Sequence, residues 1–246
     1  IDKTKELIQE VSDGKILLSK GLINSLPKQF SAATEKDRKH IYSMLLLAPS
    51  MHTDFTPGRV NGKCVQVSIY TNPDETLYCF SEHKGHQGIK VSPAENYMQI
   101  LIHDHDLTFY NYGGDHQECL AHIQRYLQDA IDNEPDLTWH KQMKSLFSEI
   151  IHEAKQDRYF SPDRILQIEK EYDAIVQTAR EEYKKHPPNK YFPDGFNLLE
   201  RMAAYKKNHL LFLSHPEIEY TNNRAERGLR KFKRKLKQEV TYRYNH

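Results

Sequence analysis

From Met51 to Glu82 the apolar residues fall mostly on alternate positions, whereas before and after that stretch they recur every third or fourth residue. KCVQVSIY, residues 63–70, shows the alternation with Val65, Val67 and Ile69. A period of two puts apolar side chains on one face of a strand, and a period of about 3.6 lines them along one stripe of a helix. A chain that carries both in separate blocks is confined to mixed α/β folds. MHTDF, KCVQVSIY and ETLYCFSE read as three strands, with Asn61-Gly62 as a hairpin turn and Asn72-Pro73-Asp74 as a second turn. Together they form an antiparallel meander. After a weakly patterned stretch, 83–96, the run Ile100, Leu101, Ile102 in YMQILIHD suits a strand buried on both faces that ends at His103-Asp104.

Helical patterning surrounds these strands. Leu17, Leu18, Leu22, Ile23 and Leu26, then Ile41, Met44, Leu45 and Leu46 before Pro49, mark helices within 1–48. Two short helices around Lys20 suit either a helix-turn-helix remnant or plain packing helices. Cys119 to Ile131, Met143 to Ala154, Ile165 to Tyr183 and Leu198 to Leu213 read as further helices, with breaks at Pro187-Pro188 and Pro193-Asp194-Gly195. The expected organisation is an N-terminal helical segment, 1–48, a sheet-bearing core, 49–134, a helical block, 135–215, and a last helix with a basic tail, 216–246.

Composition removes several function classes. Lys and Arg number 35 against 34 Asp and Glu, a formal net charge of +1, so any nucleic-acid contact must come from a local patch. TNNRAERGLRKFKRKLK, Thr221 to Lys237, is such a patch. Cys64, Cys79 and Cys119 are too few and too scattered for a disulfide framework, which predicts a reducing, cytoplasmic setting. No stretch has the length and apolarity of a membrane span or a secretory signal. The first residue is Ile1, not Met, and it lies inside an amphipathic pattern, so the chain is expected to be part of a longer protein.

A meander, a further buried strand and then a helix is the order of a ribonuclease-H-like core, which carries acids at the ends of its first and fourth strands. Asp54 and Asp104 occupy those expected ends, although an Asp after a strand also serves as a turn or cap residue. Glu226 is an isolated acid in the basic run, and it faces the sheet if Leu229 packs there; its plainer reading is an intrahelical pair with Arg230. Three carboxylates at one sheet edge repel one another unless cations neutralise them. Two Mg2+ or Mn2+ ions, roughly 3.5–4 Å apart, would do so, activating an attacking oxygen and stabilising a leaving one in phosphodiester displacement. The neighbouring Arg224, Arg227, Arg230, Lys231, Lys233, Arg234, Lys235 and Lys237 would then hold DNA phosphates.

DFTPGRVNGK (54–63), HDHDLTFY (103–110), CLAH (119–122) and TNNRAERGLR (221–230) resemble, in order and spacing, the motifs DETxxRVNGK, HDxxxxxY, CxAH and DNNxAERxLR of the insertion sequence 66 family of bacterial DDE transposases. The resemblance spans nearly the whole chain, and NNRAERGLR is its most specific part. It implies that Asp54, Asp104 and Glu226 form the catalytic, metal-holding triad of a ribonuclease-H-like fold, with the helical block 135–215 inserted before the last acid. Asp106 is a rival for the second acid. His122, Asn222 and Asn223 are accessory candidates. The partners implied are DNA, at transposon ends and target, a second copy of the chain, and accessory proteins of the same element. Phe55 stands where the family commonly has Glu, and Thr221 where it has Asp. After Lys237, QEVTYRYNH departs from the Gly- and Ser-containing continuation, which suggests a truncated copy.

Several residues admit rival readings. His116, Cys119 and His122 are spaced three apart as zinc ligands could be, but a closed zinc site needs four ligands and positions i and i+6 on a helix diverge, so a buried Cys119 and a packing His122 are the favoured account. His52, His103 and His105 flank the acids, either as ligand contacts or as strand-end polar residues. Trp139, Tyr159, Phe160, Tyr191 and Phe192 suit base stacking or helix packing, and KKHPPNKYFPDG a DNA-contacting loop or a linker. The alternatives to a transposase are a non-catalytic DNA-binding remnant and another ribonuclease-H-like nuclease.

Overall fold

The computed structural model describes residues 2–60, 62–90, 92–188 and 194–238, with the side chains of 235–238 outside that description. It divides into two compact units, 1–44 and 45–246. The first holds α1 (Asp2–Val11), α2 (Lys20–Ala33) and most of α3 (Glu35–Leu47). Ser19 caps α2, its hydroxyl accepting from the Leu22 N–H at 3.1 Å. Residues 12–19 separate α1 from α2, far more than the turn of about three or four residues in a helix-turn-helix, so that reading is corrected.

The second unit is built on a five-stranded mixed sheet in the order β3-β2-β1-β4-β5. β1 (Ser50–Val60), β2 (Lys63–Thr71) and β3 (Thr76–Ser81) form the expected antiparallel meander. Gly62 turns the first hairpin at φ 78°, a conformation that a side chain disfavours; its partner in the expected turn, Asn61, lies outside the described residues. The short α4 (His86–Ile89) falls in the weakly patterned stretch. β4 (Ile100–His103) is buried along its whole length and pairs in parallel with β1.

β5 (Asp115–Glu118) pairs in parallel with β4 and was not expected, because the sequence DHQE offers no apolar alternation. Polar groups fill both of its faces: Gln117 and Glu118, on opposite sides of the strand, are both fully buried and hydrogen-bonded.

α5 (Leu120–Asn133), α6 (Trp139–Gln156) and α7 (Pro162–Lys185) match the expected helices and pack around a core that includes Ile100, Ile102, Leu127, Trp139, Phe147 and Tyr172. Trp139 and Phe160 are core residues, Tyr159 is exposed, and Tyr191 and Phe192 lie outside the described residues, as does much of the KKHPPNKYFPDG run. The helix expected over Leu198–Leu213 is instead α8 (Asp194–Ala204), α9 (Lys206–Leu210) and a 3-10 turn, Leu211–Leu213. The break at Tyr205 lets His209 and Leu210–Leu213 all reach the interior, which one straight helix cannot do.

α10 (Asn223–Gln238) lies on β1 and β2, where Ala225 and Leu229 pack with Val67 and Ile69. Gly228 allows this approach: a Cβ there would lie 2.1 Å from Ile69 Cδ1. No described helix is long and apolar enough to cross a membrane.

Candidate active site

Asp54 lies inside β1, not at its end as expected, because the hairpin with β2 continues to Val60. The parallel pairing with β4, however, stops at His52↔Ile102. Asp54 is two residues beyond His52 on β1, and Asp104 two residues beyond Ile102, just past the end of β4, so both acids follow the last parallel pair by the same number of residues. Strand alternation also sends two such equivalent positions towards the same face. Asp54 is exposed to its neighbours electrostatically: burial, then the Asp104 carboxylate, raises its pKa from 3.8 to about 6, while Lys233 and the Phe55 N–H pull it down and Glu226 adds a further push.

Glu226 enters from the first turn of α10. Leu229, fully buried one turn on, fixes the face that the helix presents, and Asn222 fixes its start. The Asn222 side chain donates from Nδ2 to Thr53 O at 2.8 Å, its Oδ1 faces His52 Nδ1 at 3.3 Å, and its N–H donates to Cys119 Sγ at 3.1 Å. Since Nδ2 is committed as donor, Oδ1 is the acceptor and His52 Nδ1 carries the proton. Burial lowers the His52 pKa to about 4, in keeping with a neutral ring. One fully buried asparagine, through its side-chain amide and its backbone N–H, thus ties the residue before Asp54, the start of α5 and the start of α10 together.

His122, in the first turn of α5, faces both remaining acids: its Nδ1 is 2.8 Å from Asp104 Oδ1 and 3.6 Å from Glu226 Oε1. The Asp104 carboxylate, and then Cys119, pushes its pKa up to about 10. These are close charge contacts without hydrogen-bond alignment, for Asp104 Oδ1, His122 Nδ1 and Glu226 Oε1 are buried atoms with no hydrogen-bond partner. We attribute the raised pKa to proximity of charge and not to a formed bond.

Ligand atoms of Asp104, Cys119, His122 and Glu226 lie within 4.8 Å of one another. This is a fit for a divalent cation. Two buried carboxylate oxygens without partners are hard donors suited to Mg2+ or Mn2+, and the cation would relieve the repulsion that raises Asp54. The Cys119 thiol already accepts the Asn222 N–H, and His116, the third member of the zinc spacing, faces His103 Nε2 at 3.1 Å instead. His116, Cys119 and His122 therefore do not converge as a zinc triad.

The other candidates are placed as follows. Asp106 Oδ1 accepts from Thr108 N at 2.8 Å and shapes the turn after β4, outside the metal group. His52 and His103 are buried within the hydrogen-bond frame and His105 pairs with Glu118 at 2.9 Å. Arg224 is half-buried and paired with Glu219 at 2.7 Å, so it is less available than the rest of the basic run. Arg227, Arg230, Lys231, Lys233 and Arg234 are exposed on α10, as is Asn223 at its first position; the side chains of Lys235 and Lys237 lie outside the described residues. Glu226 faces His122 and not Arg230.

Sequence reading missed Glu118. Its carboxylate has no solvent exposure and meets His105, Tyr110, Arg201 and, at 3.6 Å, His209. Burial would raise its pKa, but the hydrogen bonds from His105 and His209 and the Arg201 charge outweigh that and hold it well below the usual carboxylate range. Its partners lie up to 91 residues away, at His209, so no local pattern announces the cluster. A cleft of 920 Å³ lies beside it, lined by Tyr126, Glu134, Tyr183, Arg201 and His105, among others, and by none of the three acids. Unpartnered buried charge converges at Asp104, His122 and Glu226, and not in that cleft.

Comparison with known proteins now gives the class. A transposase family model matches residues 6–245, nearly the whole length, and a transposase family implies a DNA substrate. The chain belongs to the family described as Transposase IS66 family, of the DDE type, whose members generally work with divalent metal ions. No curated protein matches the chain.

Proposed function

We propose that this chain cuts and joins DNA at the ends of its insertion sequence, using Asp54, Asp104 and Glu226 as the three acids of a ribonuclease-H-like catalytic core. The observation that carries the reading is the equal offset of Asp54 and Asp104 from the last parallel pair of β1 and β4, with Glu226 brought to Asp104 across His122. Helices 135–215 are then an insertion between the second and third acids, and 1–48 an N-terminal segment.

The carboxylates of Asp54, Asp104 and Glu226 would hold two Mg2+ or Mn2+ ions, which supply Lewis-acid activation of the attacking oxygen and stabilisation of the leaving one. The chain's own residues do the rest. Asn222 sets the distance between β1 and α10, and Leu229 sets the helix rotation, so the third acid is preorganised and costs little reorganisation during reaction. His122 holds a proton between two carboxylates and neutralises part of their charge before the site is loaded. Arg227, Arg230, Lys231 and Arg234 present a basic face for phosphates, and Lys233, close enough to Asp54 to lower its pKa, is placed for phosphates near the reacting bond. Transposition also implies a homo-oligomer that brings two ends together and accessory proteins of the element.

The test is cleavage and strand transfer on DNA carrying the element's ends with Mg2+ or Mn2+. Asp54→Asn, Asp104→Asn and Glu226→Gln should each abolish both steps while the far-ultraviolet circular dichroism is retained. Cleavage by the Asp104→Asn protein at the wild-type rate would sink the assignment.

A further inference from the structure

Asp104 is flanked in the chain by two imidazoles, the buried His103 and the part-buried His105. His103, with no exposure, donates to the Asp104 carbonyl and faces His116 Nδ1 at 3.1 Å through its other nitrogen. His105 on the other side donates from Nδ1 to Glu118 Oε1 at 2.9 Å. That same oxygen accepts the Tyr110 hydroxyl, and Glu118 Oε2 accepts from Arg201. Glu118 in turn is followed directly by Cys119, which begins the helix carrying His122.

Arg201 is on α8, and its guanidinium also stacks over Tyr126 of α5 at 5.0 Å. One cation therefore braces the turn after β4 through Glu118 and the helix of His122 through Tyr126. A buried carboxylate is costly unless fully partnered, and an apolar trio would fill the same space more cheaply. What the charged arrangement adds is direction: bonds from His105, Tyr110 and Arg201 specify one orientation of Glu118 and so one course for the 103–110 turn.

We propose that Glu118 is a positioning residue that sets Asp104 for metal binding, and that Arg201 couples the helical block to the metal site through it. The inference rests on the reading of Asp104 as a metal ligand and assigns control of that ligand to residues outside the triad.

The test is calorimetric titration of Mn2+ into the full chain and its Arg201→Met, Arg201→Lys and Tyr110→Phe variants. Each would first be shown by circular dichroism to be folded at the working temperature. Backbone amide exchange at Asp106 and Phe109, which close the turn, would be followed in parallel. Loss of such outer supports typically weakens metal binding by about tenfold or more. Arg201→Met should show at least that loss with faster exchange at Asp106 and Phe109, and Arg201→Lys should recover most of the affinity. If Arg201→Met does not fold, Tyr110→Phe, which removes one hydrogen bond, should show a smaller loss in the same direction.

Folded variants that bind Mn2+ within about twofold of wild type, on the scale where outer-shell losses are about tenfold, overturn the proposal. So does unchanged amide exchange in the turn. A wild-type chain that binds no Mn2+ overturns the metal reading of Asp104 and with it this control of metal affinity, whereas loss of affinity confined to triad variants overturns only the positioning role.

Discussion

His122 Nδ1 lies 2.8 Å from Asp104 Oδ1 and 3.6 Å from Glu226 Oε1, so one imidazole bridges an acid that follows a strand and an acid on the last helix. The bridge brings these two side chains to a common point. Removing His122 leaves the two carboxylates facing each other without a cation between them. His122→Ala should therefore lower the stability of the metal-free chain at pH 7, and added Mn2+ should restore more stability to the variant than to the wild type. Thermal unfolding with and without Mn2+ measures both.

Asp54 and His122 both bind their protons more tightly in the folded chain than in the unfolded one, so each adds stability on the acidic side. The Asp54 contribution is fully present below pH 3.8 and lost as pH rises through about 6; that of His122 is fully present below pH 6.5 and lost as pH rises through about 10. Asp54→Asn should raise the stability of the metal-free chain at pH 8 by about 1–2 kcal/mol and flatten its pH dependence between 4 and 6. Mn2+ affinity should climb across that same interval, since the ion displaces the Asp54 proton. Urea unfolding and calorimetry at a series of pH values read the two effects.

Asn222→Ala would strand Thr53 O and the His52 ring in a buried place, while its backbone N–H would keep its bond to Cys119 Sγ. The expected loss is about 1–3 kcal/mol in urea unfolding, with weaker Mn2+ binding because β1 and α10 are no longer tied at Asp54 and Glu226. A loss of stability with unchanged metal affinity would make Asn222 a purely structural clamp.

Leu229→Ala opens a cavity between α10 and Val67 and Ile69, and should cost about 2–5 kcal/mol. Because Leu229 sets the helix rotation, cleavage should fall further than the population of folded chain alone explains, as judged by circular dichroism beside activity.

Replacing Arg227, Arg230, Lys231 and Arg234 together by Gln removes exposed charges while leaving Ala225 and Leu229 in place. Binding to any duplex should weaken uniformly, and the slope of log affinity against log salt should flatten by about 0.9 for each lost phosphate contact. A filter-binding series at several salt concentrations measures it. Change confined to one DNA sequence would show that these residues read bases.

The sequence by itself determined the meander, β4, the three helices α5–α7 and the family, because apolar period and turn chemistry are local and NNRAERGLR is specific. It marked Asp54, Asp104 and Glu226 as candidates, but it put Asp54 at a strand end, whereas the hairpin with β2 carries β1 on to Val60. Only the tertiary structure decided that β1 runs on past β4, that polar DHQE forms a buried strand, and that Tyr205 splits the expected helix. The same holds for Glu118 and Asn222. Their partners lie 83 residues away at Arg201 and 169 residues away at Thr53. Long-range pairing of buried polar groups is settled by which donors the packed core leaves beside them, and periodicity, which records only each segment's own solvent boundary, carries no trace of it.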